Sequence, residues 1–412
     1  MKKDFLLTFA TEFFVLASGL LVFKLVAQVL GKDDFLEYSL IRRTVSLIQP
    51  ALLLGLGVGI PRYMSFSREP LNPGTADPFF TAGLCVLLPA SLAFGILLLV
   101  LKRTFAFLFF GSSAYAPFIP PIGLMLLGLV LHAAVYSYFR GRLRMGPANL
   151  IQLINLALAP PAVLFFAKRL LSLLIWLGIV WTAVSFIFLA GILIRIRPVF
   201  RGLFRPMKTL LIYGLQRVPG DFGLAALLAL PATFTAHLSG VSRAGAVAFG
   251  ISVLNMAGTA FAPIGLILLP KASRMIAAEN LGNLRRDVRR ILAATIVLTA
   301  AGVLVFELFA GTIIGLYLGR GYADMVFVSR IIVLGSLAYT IYVSLRSIID
   351  AYHVKAVNTL NIFIALILYG LWSAIVIVLG GNSLLIVIGF VLALFALGLL
   401  TLRETSRILA PE

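Results

Sequence analysis

Apolar residues in this chain come in continuous runs of about 20, long enough to cross the hydrocarbon core of a bilayer as helices. The runs do not alternate apolar and polar positions, which excludes the dyad-patterned strands of a membrane barrel. Composition agrees: 61% of the 412 residues are hydrophobic and 12% are charged. A soluble domain carries about 25% charged residues. The chain is therefore read as an all-α polytopic membrane protein. Twelve transmembrane helices are predicted, at 5–30, 38–61, 79–101, 118–139, 148–167, 171–194, 209–236, 244–270, 291–317, 325–350, 356–379 and 383–402. Breaks rich in Gly, Pro and Asp separate them: Gly31 with Lys32, Asp33 and Asp34; Pro70, Pro73, Gly74 and Pro78; Gly380 with Gly381 and Asn382. No break is long enough for an extramembrane domain. Met1 and Lys2 lead straight into the first run without a clear small-residue cleavage site, so that run is read as a retained helix.

Charge then sets orientation. Lys and Arg number 34 against 15 Asp and Glu, a net charge of +19. In a polytopic chain the positive-inside rule accounts for such an excess, and no nucleic-acid partner is expected. Counted on alternate sides of the twelve spans, 21 of the Lys and Arg fall on the side of the N-terminus and 7 on the other. Both termini are therefore expected in the cytoplasm. The remaining six, Lys24, Arg42, Arg43, Arg217, Arg330 and Arg346, fall in or at the edges of spans. A cation at a helix centre costs about 2.5–3.5 kcal/mol on insertion scales, so these must snorkel, pair or face water.

The two halves match at an offset of 209 residues. Gly31 meets Gly240, Pro61 meets Pro270, Arg62 meets Lys271, Glu12 meets Asp221, and Asn149 meets Asn358. Six spans would then repeat as six in the same orientation, giving an N-terminal lobe at 1–200 and a C-terminal lobe at 201–412. Transporters commonly bind substrate between such repeats.

Four constellations stand out. Tyr213, Arg217 and Asp221 lie four apart on one helical face, beside Pro219 and Gly220, which should bend or loosen the helix, with Pro231 as a second such point. They form either a cavity-facing ion pair or an interfacial one. Arg42, Ser46 and Gln49 make a polar stripe with Arg43 beside it and Pro50 following; an Arg there can grip phosphate oxygens bidentately, or snorkel outward. Tyr339, Tyr342, Arg346 and Asp350 share a face that suits a sugar phosphate or an interfacial aromatic belt. The first helix carries Glu12, Lys24 and Gln28; a membrane carboxylate such as Glu12 can exchange a proton or bind a monovalent cation, or merely pair with an Arg. The candidate sites are thus substrate-binding Lys24, Arg42, Arg43, Gln49, Arg217 and Arg346, and ion-coupling Glu12, Asp221 and Asp350. Arg62 and Lys271, each after a proline, are candidate gates or cytoplasmic anchors. The run from Arg285 to Arg290 suits an anionic leaflet surface. His132, His237 and His353 are scattered and make no metal site, Cys85 allows no intrachain disulfide, and no phosphate-binding glycine loop is present. No cofactor, metal or catalytic residue is expected.

Several stretches resemble polysaccharide flippases of the Wzx type: Gly31 to Arg43 (GKDDFLEYSLIRR), Gly55 to Tyr63 (GLGVGIPRY), Tyr138 to Met145 (YFRGRLRM), Tyr213 to Asp221 (YGLQRVPGD) and Leu268 to Ser273 (LLPKAS). That family belongs to the multidrug/oligosaccharidyl-lipid/polysaccharide (MOP) exporter superfamily, and the resemblance spans essentially the whole chain. It implies two six-helix lobes whose first, second, seventh and eighth helices line a cavity open alternately to each side. It also implies a lipid-linked undecaprenyl-pyrophosphate oligosaccharide as substrate, driven from the inner to the outer leaflet by a proton or sodium gradient. The implied setting is the plasma (cell inner) membrane of a bacterium or archaeon, with membrane lipids and other glycan-assembly proteins as partners. The competing readings are a drug/cation antiporter of the same superfamily, a lipid II-type flippase, and a membrane glycan polymerase or ligase. Short outer loops poor in acids and histidines argue against that last, enzymatic reading.

Overall fold

The computed structural model describes residues 2–66, 76–198, 200–278, 280–353 and 355–410. The loop expected at Pro70, Pro73 and Gly74, with Arg68, lies outside the described residues. Fifteen α-helices run in chain order: α1 (Lys2–Val29), α2 (Lys32–Leu53), α3 (Leu56–Phe66), α4 (Pro78–Val100), α5 (Lys102–Phe110), α6 (Ile119–Gly141), α7 (Met145–Gln152), α8 (Ala159–Leu164), α9 (Leu170–Arg195), α10 (Phe204–Ala277), α11 (Leu281–Tyr317), α12 (Met325–Leu334), α13 (Ser336–Tyr352), α14 (Val357–Val378) and α15 (Ser383–Ile408). A π-helical segment, Leu153–Leu158, joins α7 to α8. The chain is an all-helical, multi-pass membrane protein.

Nine helical stretches among the described residues are long and apolar enough to span a bilayer. Two further pairs, α2 with α3 and α12 with α13, qualify together although each is bent by 41°. The 74 residues of α10 are too many for one span, because at 1.5 Å per residue they would cover about 110 Å. Gly240 interrupts α10 with φ 81° and ψ 169°, dividing it into the two predicted segments 209–236 and 244–270. Counted so, the helices accommodate the twelve predicted spans.

Gly31, between α1 and α2, has φ 93° and ψ −178°. This is nearly the backbone conformation of Gly240, its partner in the 209-residue repeat, and it is open essentially to glycine alone. At this one pair of positions the backbone geometry agrees as well as the residue identity.

Three local expectations change. Lys32, Asp33 and Asp34 are the first turn of α2 instead of a loop, so Gly31 alone makes the turn. Pro50, Pro219 and Pro231 lie inside helices, and the departure from helical backbone angles within α10 falls at Gly240. Neighbouring helices can re-satisfy the carbonyl a proline frees, so a proline alone does not fix a kink. The second span breaks instead at Leu54 and Gly55, both in the left-handed region at φ 49° and 66°.

The described residues divide into two compact units, Met1–Phe222 and Gly223–Glu412. In the first, Phe35, Leu40, Ile41, Leu56, Ile60 and Phe80 are fully buried. Asp77 caps α4, accepting from Phe79 N at 2.8 Å, with Pro78 at the first helical position. In the second unit, Tyr369, Phe390, Leu345 and Leu394 form the interior. Hydroxyl pairs tie α11 to α13 there: Thr295 to Ser344 at 3.2 Å and Thr299 to Thr340 at 3.0 Å. Large apolar side chains such as Ile96, Phe186, Val297 and Leu371 remain exposed, as lipid-solvated surfaces require.

Candidate functional site

The first unit carries a polar track built on the broken second span. Along α2, Arg42 and Ser46 are exposed and Gln49 is half-buried, whereas Ile41, Arg43, Thr44, Val45, Leu47 and Ile48 are buried. The stripe predicted from spacing is therefore the open face of an otherwise buried helix. Arg42 rests on the Phe23 ring of α1, its guanidinium carbon 5.1 Å from the centroid. Phe23 in turn meets Phe35 and Tyr38 edge-on, at 5.9 and 5.8 Å. Ser46 spends its hydroxyl on the Arg42 carbonyl at 2.9 Å. Lys24 is half-buried on α1, whereas Arg43 is only 8% exposed and points away from the open face.

At the end of the stripe the helix breaks, and the break is held by a close backbone crossing. A methyl group on Gly214 of α10 would stand 2.0 Å from the Leu54 carbonyl oxygen. One on Gly55 would stand 2.9 Å from Gly214 Cα and 3.4 Å from Arg217 Cβ. Only glycine admits this approach, and it sets Arg217 beside the break.

Tyr213 organises the cations there. Arg62 of α3 and Arg217 of α10 both pack on its ring, at 5.3 and 5.7 Å from the centroid. Arg217 Nη1 also donates to the Tyr213 hydroxyl at 3.3 Å. Tyr63 meets Tyr213 edge-on at 5.6 Å and stacks on Phe79 at 5.1 Å. Arg62, Arg217 and Asp221 are all exposed. Arg142 lies on Tyr138 at 6.0 Å, and Tyr138 contacts Phe80. Burial raises the Asp77 carboxyl above its usual range, while the Phe79 N–H, Arg142 and the Phe80 N–H pull it down. From Arg42 to Gly55 is thirteen residues, about 20 Å of helix, with guanidinium groups at both ends.

Behind this track runs a polar seam between α1 and α7. Asn149 Nδ2 donates to Thr8 Oγ1 at 3.1 Å, and Gln152 Nε2 donates to Glu12 Oε1 at 2.8 Å. Asn155, in the π-helical segment, donates to Ser185 Oγ at 2.8 Å, lies 3.3 Å from His132 Nδ1, and accepts from Trp181 Nε1 through its carbonyl at 2.6 Å. The side-chain oxygens of Asn149, Gln152 and Asn155 are buried with no hydrogen-bond partner among the described residues. Sequence reasoning singled out Glu12 but not Gln152 or Asn155, although an amide every third residue from 149 to 155 was a legible signal.

In the second unit, Tyr339 donates to Asn255 Oδ1 at 3.2 Å and stacks on Tyr342 at 6.3 Å; Arg346 packs on Tyr342 at 6.0 Å. Both tyrosines are buried, while Arg346 and Asp350 are exposed. Asn358 Nδ2 bridges Asp350 Oδ1 at 2.7 Å and the Arg346 carbonyl at 2.8 Å. Lys271 is held by Asp287 at 2.7 Å. Arg330 pairs with Glu307 at 3.5 Å, which accounts for two embedded charges outside the candidate constellations. Among the described residues, no three His, Cys, Asp or Glu side chains are grouped to hold a metal ion.

Several solved structures share this fold. An inward-facing multidrug resistance MATE family transporter of the MOP superfamily aligns with a TM-score of 0.74 at 13% identity, covering 97% of this chain and 94% of that one. The lipid II flippase MurJ, in an inward closed conformation, aligns at 0.72 and 15% identity, covering 97% and 87%. A MOP superfamily transporter from Pyrococcus furiosus, described as having a binding pocket of reversed polarity, aligns at 0.64 and 12% identity, covering 98% and 94%. The chain thus shares its fold with these transporters. No family model and no curated protein sequence matches the chain.

Proposed function

We propose that this chain is a flippase of the Wzx type. It moves an undecaprenyl-pyrophosphate-linked oligosaccharide from the inner to the outer leaflet of the plasma membrane by alternating access of two six-helix lobes. The observation that carries this reading is the pair of guanidinium groups, Arg62 and Arg217, gathered on Tyr213 beside the broken second span. Two like charges on one ring repel each other, and a diphosphate placed between them turns that repulsion into attraction. Arg42, at the far end of the open stripe, extends the same field along the head group, with Lys24 and Gln49 beside it. Within the second unit, Arg346 on the Tyr342 ring is a separate proposed substrate-binding residue. Arg43 is assigned to holding α2 in place, since it is buried.

Glu12 is the proposed coupling group, taking a proton or sodium ion; Gln152 orients its carboxylate, and the unpartnered amide oxygens beside it supply acceptors for a cation. Asp221 and Asp350 are proposed to assist coupling, and Arg62 and Lys271 to act as gates. A lipid II-type flippase is the second reading, favoured by the TM-score of 0.72 to such a protein and needing the same cation chemistry.

Reconstitution into liposomes tests both. A labelled undecaprenyl-pyrophosphate oligosaccharide, or lipid II, is loaded in one leaflet, and access to its sugar is followed with and without a proton or sodium gradient. Gradient-dependent flipping of the oligosaccharide lipid is expected, with Arg217→Ala and Arg42→Ala inactive although normally inserted. Glu12→Gln is expected to flip without responding to the gradient. Full transport by both arginine variants, or efflux of organic cations instead of flipping, overturns the assignment.

A further inference from the structure

Helix α11 is 37 residues long, about 55 Å, and so extends well beyond a hydrocarbon core of about 30 Å. Its faces separate cleanly. Leu284, Val288, Thr295, Thr299, Phe306 and Ala310 are buried against the second unit. On the opposite face, Val297, Leu304 and Leu308 are 65%, 59% and 65% exposed. Arg286 and Arg290 continue that exposed face toward the helix start, at the spacing of four and seven that keeps side chains in one row. Their neighbours in the run turn elsewhere: Asp287 is held by Lys271 at 2.7 Å, and Arg285 donates to the Leu409 carbonyl. Arg290 stands seven residues, about 10 Å, from the first of the exposed apolar side chains in that row. A lipid chain lying on Val297 and Leu304 would therefore bring its head group to Arg290 and Arg286.

We propose that Arg286 and Arg290, at the end of the apolar stripe of α11, form a binding site for an anionic phospholipid. The apolar stripe takes an acyl chain and the two guanidinium groups take the phosphate. The site is distinct from the transport track, and its test does not depend on transport.

The protein, purified in phosphatidylcholine nanodiscs, is exchanged against increasing phosphatidylglycerol, and bound lipid is counted by native mass spectrometry. Wild type is expected to retain phosphatidylglycerol in preference to phosphatidylcholine. R286Q/R290Q is expected to bind it about thirtyfold more weakly, R286K/R290K to keep most of the binding, and Arg320→Gln, just beyond the other end of α11, to behave as wild type. Inorganic phosphate at matched concentration should not displace the lipid. Equal retention by wild type and R286Q/R290Q overturns the proposal, as does displacement by inorganic phosphate, which would mark a free-anion site. If R286Q/R290Q does not fold, retention is read on Arg290→Gln and Arg286→Gln singly, and unchanged binding in both overturns it.

Discussion

Tyr213 ties sequence to chemistry most closely at the scale of single residues. Spacing alone placed Tyr213 and Arg217 on one face, but not Arg62, which comes from a helix more than 140 residues earlier. The ring serves two guanidiniums through its face and one of them also through its hydroxyl. These roles separate by substitution. Tyr213→Phe keeps the face and removes one neutral hydrogen-bond acceptor, so transport should fall less than about fivefold, in line with a net bond of about 1 kcal/mol. Tyr213→Leu removes the face as well and should cost tenfold or more, since each cation–π contact contributes about 0.5–2 kcal/mol. Arg217→Lys keeps the charge but loses the planar stack and the fork, and should resemble Tyr213→Leu. Initial flipping rates in liposomes, normalised to inserted protein, check the order. If Tyr213→Leu matches wild type, Tyr213 does not organise the cations.

Glycine decides the geometry of individual elements where proline had been expected to. Pro219 and Pro231 were the points at which the sequence suggested a bent or loosened helix, yet α10 continues through both. The break at Leu54 and Gly55 depends on a partner far along the chain, Gly214, and a contact between distant residues has no signature in local spacing. The turn glycines were legible because a positive φ is a local demand: Gly31 and Gly240 are repeat mates in sequence and share that backbone conformation. The α2 stripe was legible for a similar reason, since helical periodicity converts spacing directly into a face. Gly214→Ala therefore carries a specific expectation. Its methyl group meets backbone that cannot swing aside, at the point that positions Arg217. Overpacking of this kind costs about 1–3 kcal/mol, so the variant should melt earlier and lose transport together. Gly57→Ala, two residues beyond the same break, has nothing within 4 Å of the added methyl and should behave as wild type. Thermal melts of both variants in one detergent check this, and equal melting points would mean that the crossing does not hold the break.

Across the whole molecule, the count of spans and the sign of the loops make one joint claim. Twelve spans would place both termini on the same side, and the excess of Lys and Arg predicts that this side is the cytoplasm. The two inferences are coupled: an error of one span would move every later basic loop to the wrong side and erode the bias of 21 to 7. The fifth span is assembled from α7, a π-helical segment and α8, and it carries the amides of the polar seam, so its crossing is the one to test. Single cysteines in a Cys85→Ser background test it directly. Arg144 and Lys168 flank this span and are both exposed, as are Arg320 and Arg407 further on. A membrane-impermeant maleimide applied to intact cells should label cysteines at 168 and 320 and leave those at 144 and 407 unlabelled until the cells are opened. The same labelling at 144 and 168 would mean that the α7–α8 segment does not cross, and every later loop would change sides. The reversed pattern throughout would keep the spans and invert the protein, which would place Arg62, Arg217 and the Arg286–Arg290 pair at the outer surface and remove the inner-leaflet entry on which the proposed direction of transport rests.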